Sequence, residues 1–368
     1  VRRKTNSNNP LRSKDLLGKS LGGFVLEAVV GKGSSGVVYK ATEESSGKLV
    51  ALKILTSKWA ADPLNLARFK REAISASSVN HPNVISVVDF GEVMHLFYLA
   101  MTFIEGRSLK AYMSRQGPLP MKSMARIGAE QASALDAIGR VGLIHRDVKP
   151  ANIMIASSGG LSYLTDLGLA KAADNSQDVT LKGYTVGTPN YISPEQALAE
   201  EELTIAGDLY SLGATLYHAV TGELVFKRRN AILMMQAQVR DAPPDPREHV
   251  PELDSDFAEL ILEMLAKDPA ARPSAADCAF RFWKLAGQEG RPPLPADVVE
   301  RPRVEAQPSG ALELVPEVPK ATAGERGPRP KRSSGRPVGE SIPSLLIPVI
   351  LGLTALIIFA IAAILLLG

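Results

Sequence analysis

Up to about residue 103 the chain consists of short β-branched and aromatic runs, and after residue 108 of long helical periods; that switch bounds the fold more tightly than any other feature. Runs at 24–30, 37–41 and 49–55, separated by Gly and Ser turns, predict strands of an antiparallel meander. Residues 67–77 have helical spacing, and 84–90 and 96–103 return to the strand pattern. The spacing then predicts helices over 121–139, 206–221, 232–240, 256–265 and 275–285. Strands first and helices afterwards give an α+β expectation: two lobes of different class, 21–104 and 105–287, that meet at a cleft.

The flanks are of another kind. Residues 1–20 begin with Arg2, Arg3, Lys4, Arg12 and Lys14 and no acid before Asp15, and read as a basic disordered arm. Those five charges exceed the net +3 of all 368 residues, so the remainder is close to neutral. No aromatic-plus-basic patch accompanies the sequence pI of 8.8, which argues against a nucleic-acid partner. The single cysteine, Cys278, excludes an intrachain disulfide and a Cys-based metal site.

Residues 288–341 turn to Pro, Glu, Arg and Gly, too polar to bury a core, and read as a disordered linker. From 342 to 367 no charge occurs, and Leu, Ile, Val and Ala dominate. About 25 residues at about 1.5 Å each span about 37 Å, enough for a ~30 Å hydrocarbon layer. One C-terminal transmembrane helix is therefore expected, and it explains a mean hydropathy of +0.02, which lies between soluble and membrane proteins.

The chemistry starts at Gly31, Lys32, Gly33, Ser34, Ser35 and Gly36, a G-x-G-x-x-G run followed by Val37 and Val38. It lies between two expected strands, whereas a dinucleotide-binding unit would place a helix after the third glycine. Such a hairpin brings backbone amides against phosphates; a plain flexible turn is the alternative reading. Lys53, in Val50-Ala51-Leu52-Lys53, sits on the strand two further along and needs an anionic partner if buried; Glu72 on the next helix is a candidate. Farther on come His145-Arg146-Asp147-Val148-Lys149-Pro150-Ala151-Asn152, Asp166-Leu167-Gly168 and Ser193-Pro194-Glu195.

In that order and approximate spacing, these segments make residues 24–285 resemble the eukaryotic-like (Hanks-type) serine/threonine protein kinases, in the style of the membrane-anchored bacterial ones. The resemblance implies the bilobal kinase fold, β-rich N-lobe over helical C-lobe, and an ATP-dependent transfer of phosphoryl groups to protein Ser/Thr hydroxyls. It implies that Lys53, positioned by Glu72, holds the α- and β-phosphates, and that Asp147 takes the acceptor's proton. Lys149 would neutralise the γ-phosphoryl, and Asn152 and Asp166 would hold Mg²⁺, with Mn²⁺ as an alternative. Adenine would lie between Val38 and Ala51 above and Met154 below, with Met101 as gatekeeper and the backbone of Thr102, Phe103 and Ile104 as the hinge.

The resemblance further implies that Thr188 contacts Asp147 and Lys149 as in serine/threonine kinases. Arg146 would pair with activation-segment phosphate, for which Thr180 is the first candidate and Thr185 the second. Glu195 and Arg272 would form a buried ion pair. Leu167 stands where Phe is usual and Ser193 where Ala is usual; neither change removes a catalytic atom.

Arg326, Arg329, Lys331, Arg332 and Arg336 precede the apolar segment against Glu325 and Glu340, and nothing charged follows it. The positive-inside rule then puts linker and kinase on the cytoplasmic face of a cell membrane, single-pass, with the C-terminus at the far face. Protein substrates, the bilayer and a homodimer for trans-autophosphorylation are the expected partners. A catalytically silent membrane-tethered scaffold is the alternative, opposed by the presence of Lys53, Asp147, Asn152 and Asp166 together.

Overall fold

A computed structural model describes residues 15–33, 36–55, 63–166, 189–290 and 292. All lie within Val1–Glu313, the first of the two units into which the chain divides. The basic arm to residue 14, Ser34 and Ser35, Leu167 to Thr188, and the linker and apolar segment from 293 onward fall outside the described residues. No helix among the described residues is long and apolar enough to cross a membrane.

The first lobe is a six-stranded antiparallel sheet: β1 (Ser20–Leu21), β2 (Phe24–Lys32), β3 (Gly36–Glu43), β4 (Leu49–Leu55), β5 (Val87–Val93) and β6 (Leu96–Thr102), in the order β1-β2-β3-β4-β6-β5. Helix α1 (Pro63–Ser77) intervenes between β4 and β5, so β6 returns beside β4 and β5 becomes the edge. The side-chain alternation of a strand decides what each face does. On β3 and β4, Tyr39, Ala41, Val50, Leu52 and Ile54 are buried against Phe24, Leu26 and Tyr98 on one side. Val38, Ala51 and Lys53 occupy the intervening positions and turn to the other face. The register sets Val38 against Lys53 and Ala51 against Met101.

One of the three motif glycines is required by this sheet. A Cβ on Gly36 would stand 2.3 Å from the Ile54 carbonyl oxygen, so β3 and β4 approach only because it has none. Gly33 meets nothing closer than 4.0 Å and Gly31 only ordinary van der Waals contacts.

The second lobe is helical: α2 (Leu109–Gln116), α3 (Met121–Arg140), α4 (Pro194–Ala197), α5 (Ile205–Thr221), α6 (Ala231–Arg240), α7 (Ser255–Met264) and α8 (Ala275–Leu285). Polar N-caps start many of them: Ser108, Ser193, Asn230, Asp254 and Ser274 each accept a backbone N–H from the first turn. Gly222 ends α5 in the left-handed conformation. The long helices α3 and α5 are buried over most of their residues and form the centre of the lobe, with α8 against α3.

The expected helices and first-lobe strands are present with ends shifted by a few residues; α1 begins four residues earlier than the periodicity indicated. The small sheet β7 (Gly106–Ser108), β8 (Ile153–Ala156) and β9 (Ser162–Leu164), together with α2 and α4, was not anticipated. Elements of three or four residues are too short to display a period, and α2 buries a single residue, Leu109.

Candidate active site

The motif residues converge where the small sheet meets the underside of the large one. Lys53 Nζ lies 2.6 Å from Asp166 Oδ1 and is largely covered. A carboxylate set against the lysine is Asp166, which follows β9, and Glu72 is half-buried on α1. A half-buried ammonium takes the carboxylate that its own strand face presents it to, and Lys53 faces the cleft floor.

Below, the catalytic loop is cross-braced. Lys149 Nζ donates to both oxygens of Asp147, at 3.0 and 2.8 Å. Asn152 Nδ2 donates to the Asp147 carbonyl at 2.8 Å and to its Oδ2 at 3.0 Å. Asn152 itself is buried in the 3₁₀ turn Pro150–Asn152, and its carbonyl accepts the N–H of Thr165 at 2.9 Å, next to Asp166. With Nδ2 committed, the side-chain atom of Asn152 that offers lone pairs is Oδ1. Asn152 Oδ1 and the Asp166 carboxylate are hard oxygen donors that suit Mg²⁺ or Mn²⁺ shared with phosphate oxygens. Among the described residues no group of three or more His, Cys, Asp or Glu assembles a metal site by itself.

Two residues hold the loop in place and had no assigned role in the sequence. Asp208, 2% exposed in the first turn of α5, accepts the N–H of His145 and of Arg146, both at 2.7 Å. Burial pushes its carboxyl above the usual range, against the opposing pull of His145 and Arg146. His145 bridges to the other strand of the site, with Nε2–H donated to Thr165 O at 2.8 Å and Nδ1 accepting the Asp147 N–H at 3.3 Å, which sets its tautomer. An acid directly before the run Leu209-Tyr210-Ser211-Leu212 signals such a buried brace, but the sequence does not tell which N–H groups it meets. Arg146 and Asp166 both have left-handed φ, +62° and +55°, a strain that is held at the two ends of the site.

Above, Val38 and Ala51 are half-buried on the cleft face, and Met101 is buried beside Ala51. Met154 lies on β8, half-buried, opposite Tyr163. Thr102 ends β6, and Phe103, Ile104 and Glu105 connect it to β7. The Thr102 N–H is already donated to Ser86 O at 3.0 Å, so this hinge group is engaged within the fold. Lys32 and Gly33 are exposed at the tip of the glycine hairpin, closed by Gly33 N–H to Gly36 O at 2.9 Å. Ser34, Ser35, Thr180, Thr185 and Thr188 lie outside the described residues.

The expected Glu195–Arg272 pair is present. The guanidinium meets the carboxylate in bidentate fashion at 2.7 and 2.9 Å, fully buried, and further donates to the carbonyls of Ala206, Ala266 and Lys267. Burial alone would raise the Glu195 carboxyl; the Arg272 hydrogen bonds outweigh it and leave it below the usual value.

Residues 24–283 match the protein kinase domain family. The chain belongs to the protein kinase family. The kinase is 38% identical over 267 residues to serine/threonine-protein kinase pkn3 of Myxococcus xanthus, covering 70% of this chain and 48% of that protein. It is 33% identical over 333 residues to PknA of Mycobacterium tuberculosis, covering 86% and 76%. Against PrkC of Bacillus subtilis it is 34% identical over 71% of this chain and 40% of that one, so this chain spans under half the length of two of these three relatives. Among solved structures, the kinase domain of M. tuberculosis PknI superposes with TM-score 0.59 at 26% identity, over 73% of this chain and 98% of that domain. Rad53 in complex with AMP-PNP gives 0.60 at 26%, over 71% and 65%. The kinase domain is of the serine/threonine type.

Proposed function

We propose that the whole protein transfers the γ-phosphoryl group of ATP to Ser and Thr hydroxyls of proteins, including its own activation segment, at the cytoplasmic face of a membrane. The observation that carries the reaction is the juxtaposition of Asp147, Lys149 and Asn152 beneath the Lys53–Asp166 pair. Asp147 accepts the hydroxyl proton as the acceptor oxygen attacks the γ-phosphorus and ADP leaves. Lys149, bracketing that carboxylate, is within reach to offset charge on the phosphoryl oxygens. Lys53 supplies a cation for the α- and β-phosphates. Mg²⁺ or Mn²⁺ on Asn152 and Asp166 would supply charge neutralisation between the phosphates.

The adenine would enter between Val38, Ala51 and Met154, with Met101 behind it and the backbone of Phe103 and Ile104 reading its edge. Gly31 and Gly33, which the sheet does not require, give phosphates close access to the backbone, and a solved relative holds AMP-PNP. Residues 1–20 act as a basic arm, 288–341 as a linker and 342–367 as a single membrane span. The collar of Arg326 to Arg336 keeps the kinase cytoplasmic. A homodimer serves trans-autophosphorylation.

Full-length protein in detergent, incubated with radiolabelled ATP and Mg²⁺, is expected to incorporate phosphate on Ser/Thr. Asp147→Asn lowers the rate by about 10²–10⁴-fold. Equal labelling of the two proteins would refute the assignment.

A further inference from the structure

The inner face of α6 carries a glutamine that no step above uses. Gln238 is fully buried. Its Nε2 donates to Asn190 O at 2.8 Å and lies 3.5 Å from Pro189 O, and its Oε1 accepts the Tyr210 hydroxyl of α5 at 2.6 Å. The amide orientation is unambiguous, because two carbonyl oxygens on one side require its NH₂ and the phenol requires its oxygen. From the other direction, Lys267 Nζ donates to the Gln238 carbonyl at 2.8 Å and to the Tyr210 hydroxyl at 3.1 Å. Lys267 lies over the Phe226 ring, 4.7 Å from its centroid.

The backbone that Gln238 holds leads directly to the reaction centre. Residues 189–193 run into the Ser193 capping box of α4, and Gln196 of that box donates to Arg146 O at 3.0 Å, next to Asp147. Tyr191, between the two anchors, shares a hydrogen bond with His218 Nδ1 at 2.7 Å. The buried link therefore runs from α6 through Gln238 to Asn190, along the chain to Gln196, and across to the catalytic loop.

We propose that Gln238 is a positioning residue for the protein acceptor: it fixes residues 189–193 beside Asp147, so that an acceptor hydroxyl docks at the right distance from that carboxylate. The idea rests on the kinase reading above. It separates two kinetic constants, because the nucleotide site proposed above is built from Val38, Ala51, Lys53, Met101 and Met154 and does not include this segment. Removing the amide leaves the Asn190 carbonyl without its donor and frees the segment to shift, a loss that corresponds to about tenfold in acceptor affinity.

The test uses full-length enzyme, with the full-length Asp147→Asn protein as acceptor and radiolabelled ATP as donor. If wild type does not label this acceptor, the trans-phosphorylation reading fails by itself, before any Gln238 variant is compared; the Gln238 comparison then uses casein. Gln238→Leu is expected to raise the acceptor KM about tenfold while the ATP KM stays within twofold of wild type. Gln238→Glu adds a readout that a mere packing role would not move. Ionised, it repels the two carbonyls; protonated, it donates as the amide did, so its acceptor KM recovers toward wild type as pH falls from 7.5 to 6. Should Gln238→Leu not fold, Gln238→Glu and Tyr210→Phe, which removes the donor to Gln238 Oε1 together with one acceptor of Lys267, decide. An acceptor KM unchanged in the folded variants, or acceptor and ATP KM rising together, overturns the proposal.

Discussion

Asp208 and Gly36 show how single residues separate what the fold demands from what the reaction demands. Asp208 satisfies two backbone N–H groups of the catalytic loop from a buried helix turn, and its loss would leave both donors unpaired. Asp208→Ala is expected to lower stability by about 2–4 kcal/mol in urea unfolding and to reduce kcat as His145 and Arg146 loosen. The glycines divide differently. Gly36→Ala forces a methyl into the Ile54 carbonyl and should visibly destabilise the first lobe. Gly33→Ala meets open space, so its melting temperature should stay within about 2 °C of wild type while the ATP KM rises several-fold. Differential scanning fluorimetry beside ATP titrations distinguishes the two. Identical behaviour of both variants would show that the hairpin's role is structural throughout.

At the scale of elements, the junction of α4, α5 and α6 is held by charge and aromatic rings. Breaking the buried Glu195–Arg272 pair with Arg272→Leu leaves a carboxylate stranded and should cost about 3–5 kcal/mol. Because the folded Glu195 carboxyl lies below its ordinary 4.5, the pair's contribution is complete above about pH 4.5 and fades as pH falls. Gly207 permits this packing, since a Cβ there would stand 2.8 Å from Glu195 Oε1. Lys267 works in the opposite sense. Burial pulls its ammonium from 10.5 down to about 8, so above pH 8 the unfolded chain binds more protons than the folded one. Its contribution to stability should therefore rise between about pH 8 and 10, so that wild type gains stability relative to Lys267→Met over that range in denaturant titrations; a difference that does not change with pH would mean that Lys267 produces no slope.

For the whole molecule, the kinase domain would be tethered to a bilayer by one C-terminal segment. Deleting 342–367 should move the protein from the membrane pellet to the soluble fraction with phosphoryl transfer retained. In sealed right-side-out vesicles the kinase domain should resist added protease; digestion of the domain would reverse the orientation read from Arg326 to Arg336. Much of the two-lobed design was legible beforehand, because long helices and half-buried strands repeat their apolar residues at periods of 3.6 and 2. The small sheet β7–β9 and α4 were not, since three or four residues carry no period.

The amino-acid sequence by itself determined the order of the motifs, and with it the family, the two lobes and the residue types at Lys53, Asp147, Asn152 and Asp166. These follow from residue types at set spacings, which are local properties of a chain. Tertiary structure alone decided that Lys53 meets Asp166, that Thr102 spends its N–H on Ser86, that Asp208 of α5 accepts the His145 N–H and that Gln238 of α6 donates to the Asn190 carbonyl. Hydrogen bonds and ion pairs form between groups brought within about 3 Å, and for residues from 16 to 113 positions apart only the packing of the elements sets that distance.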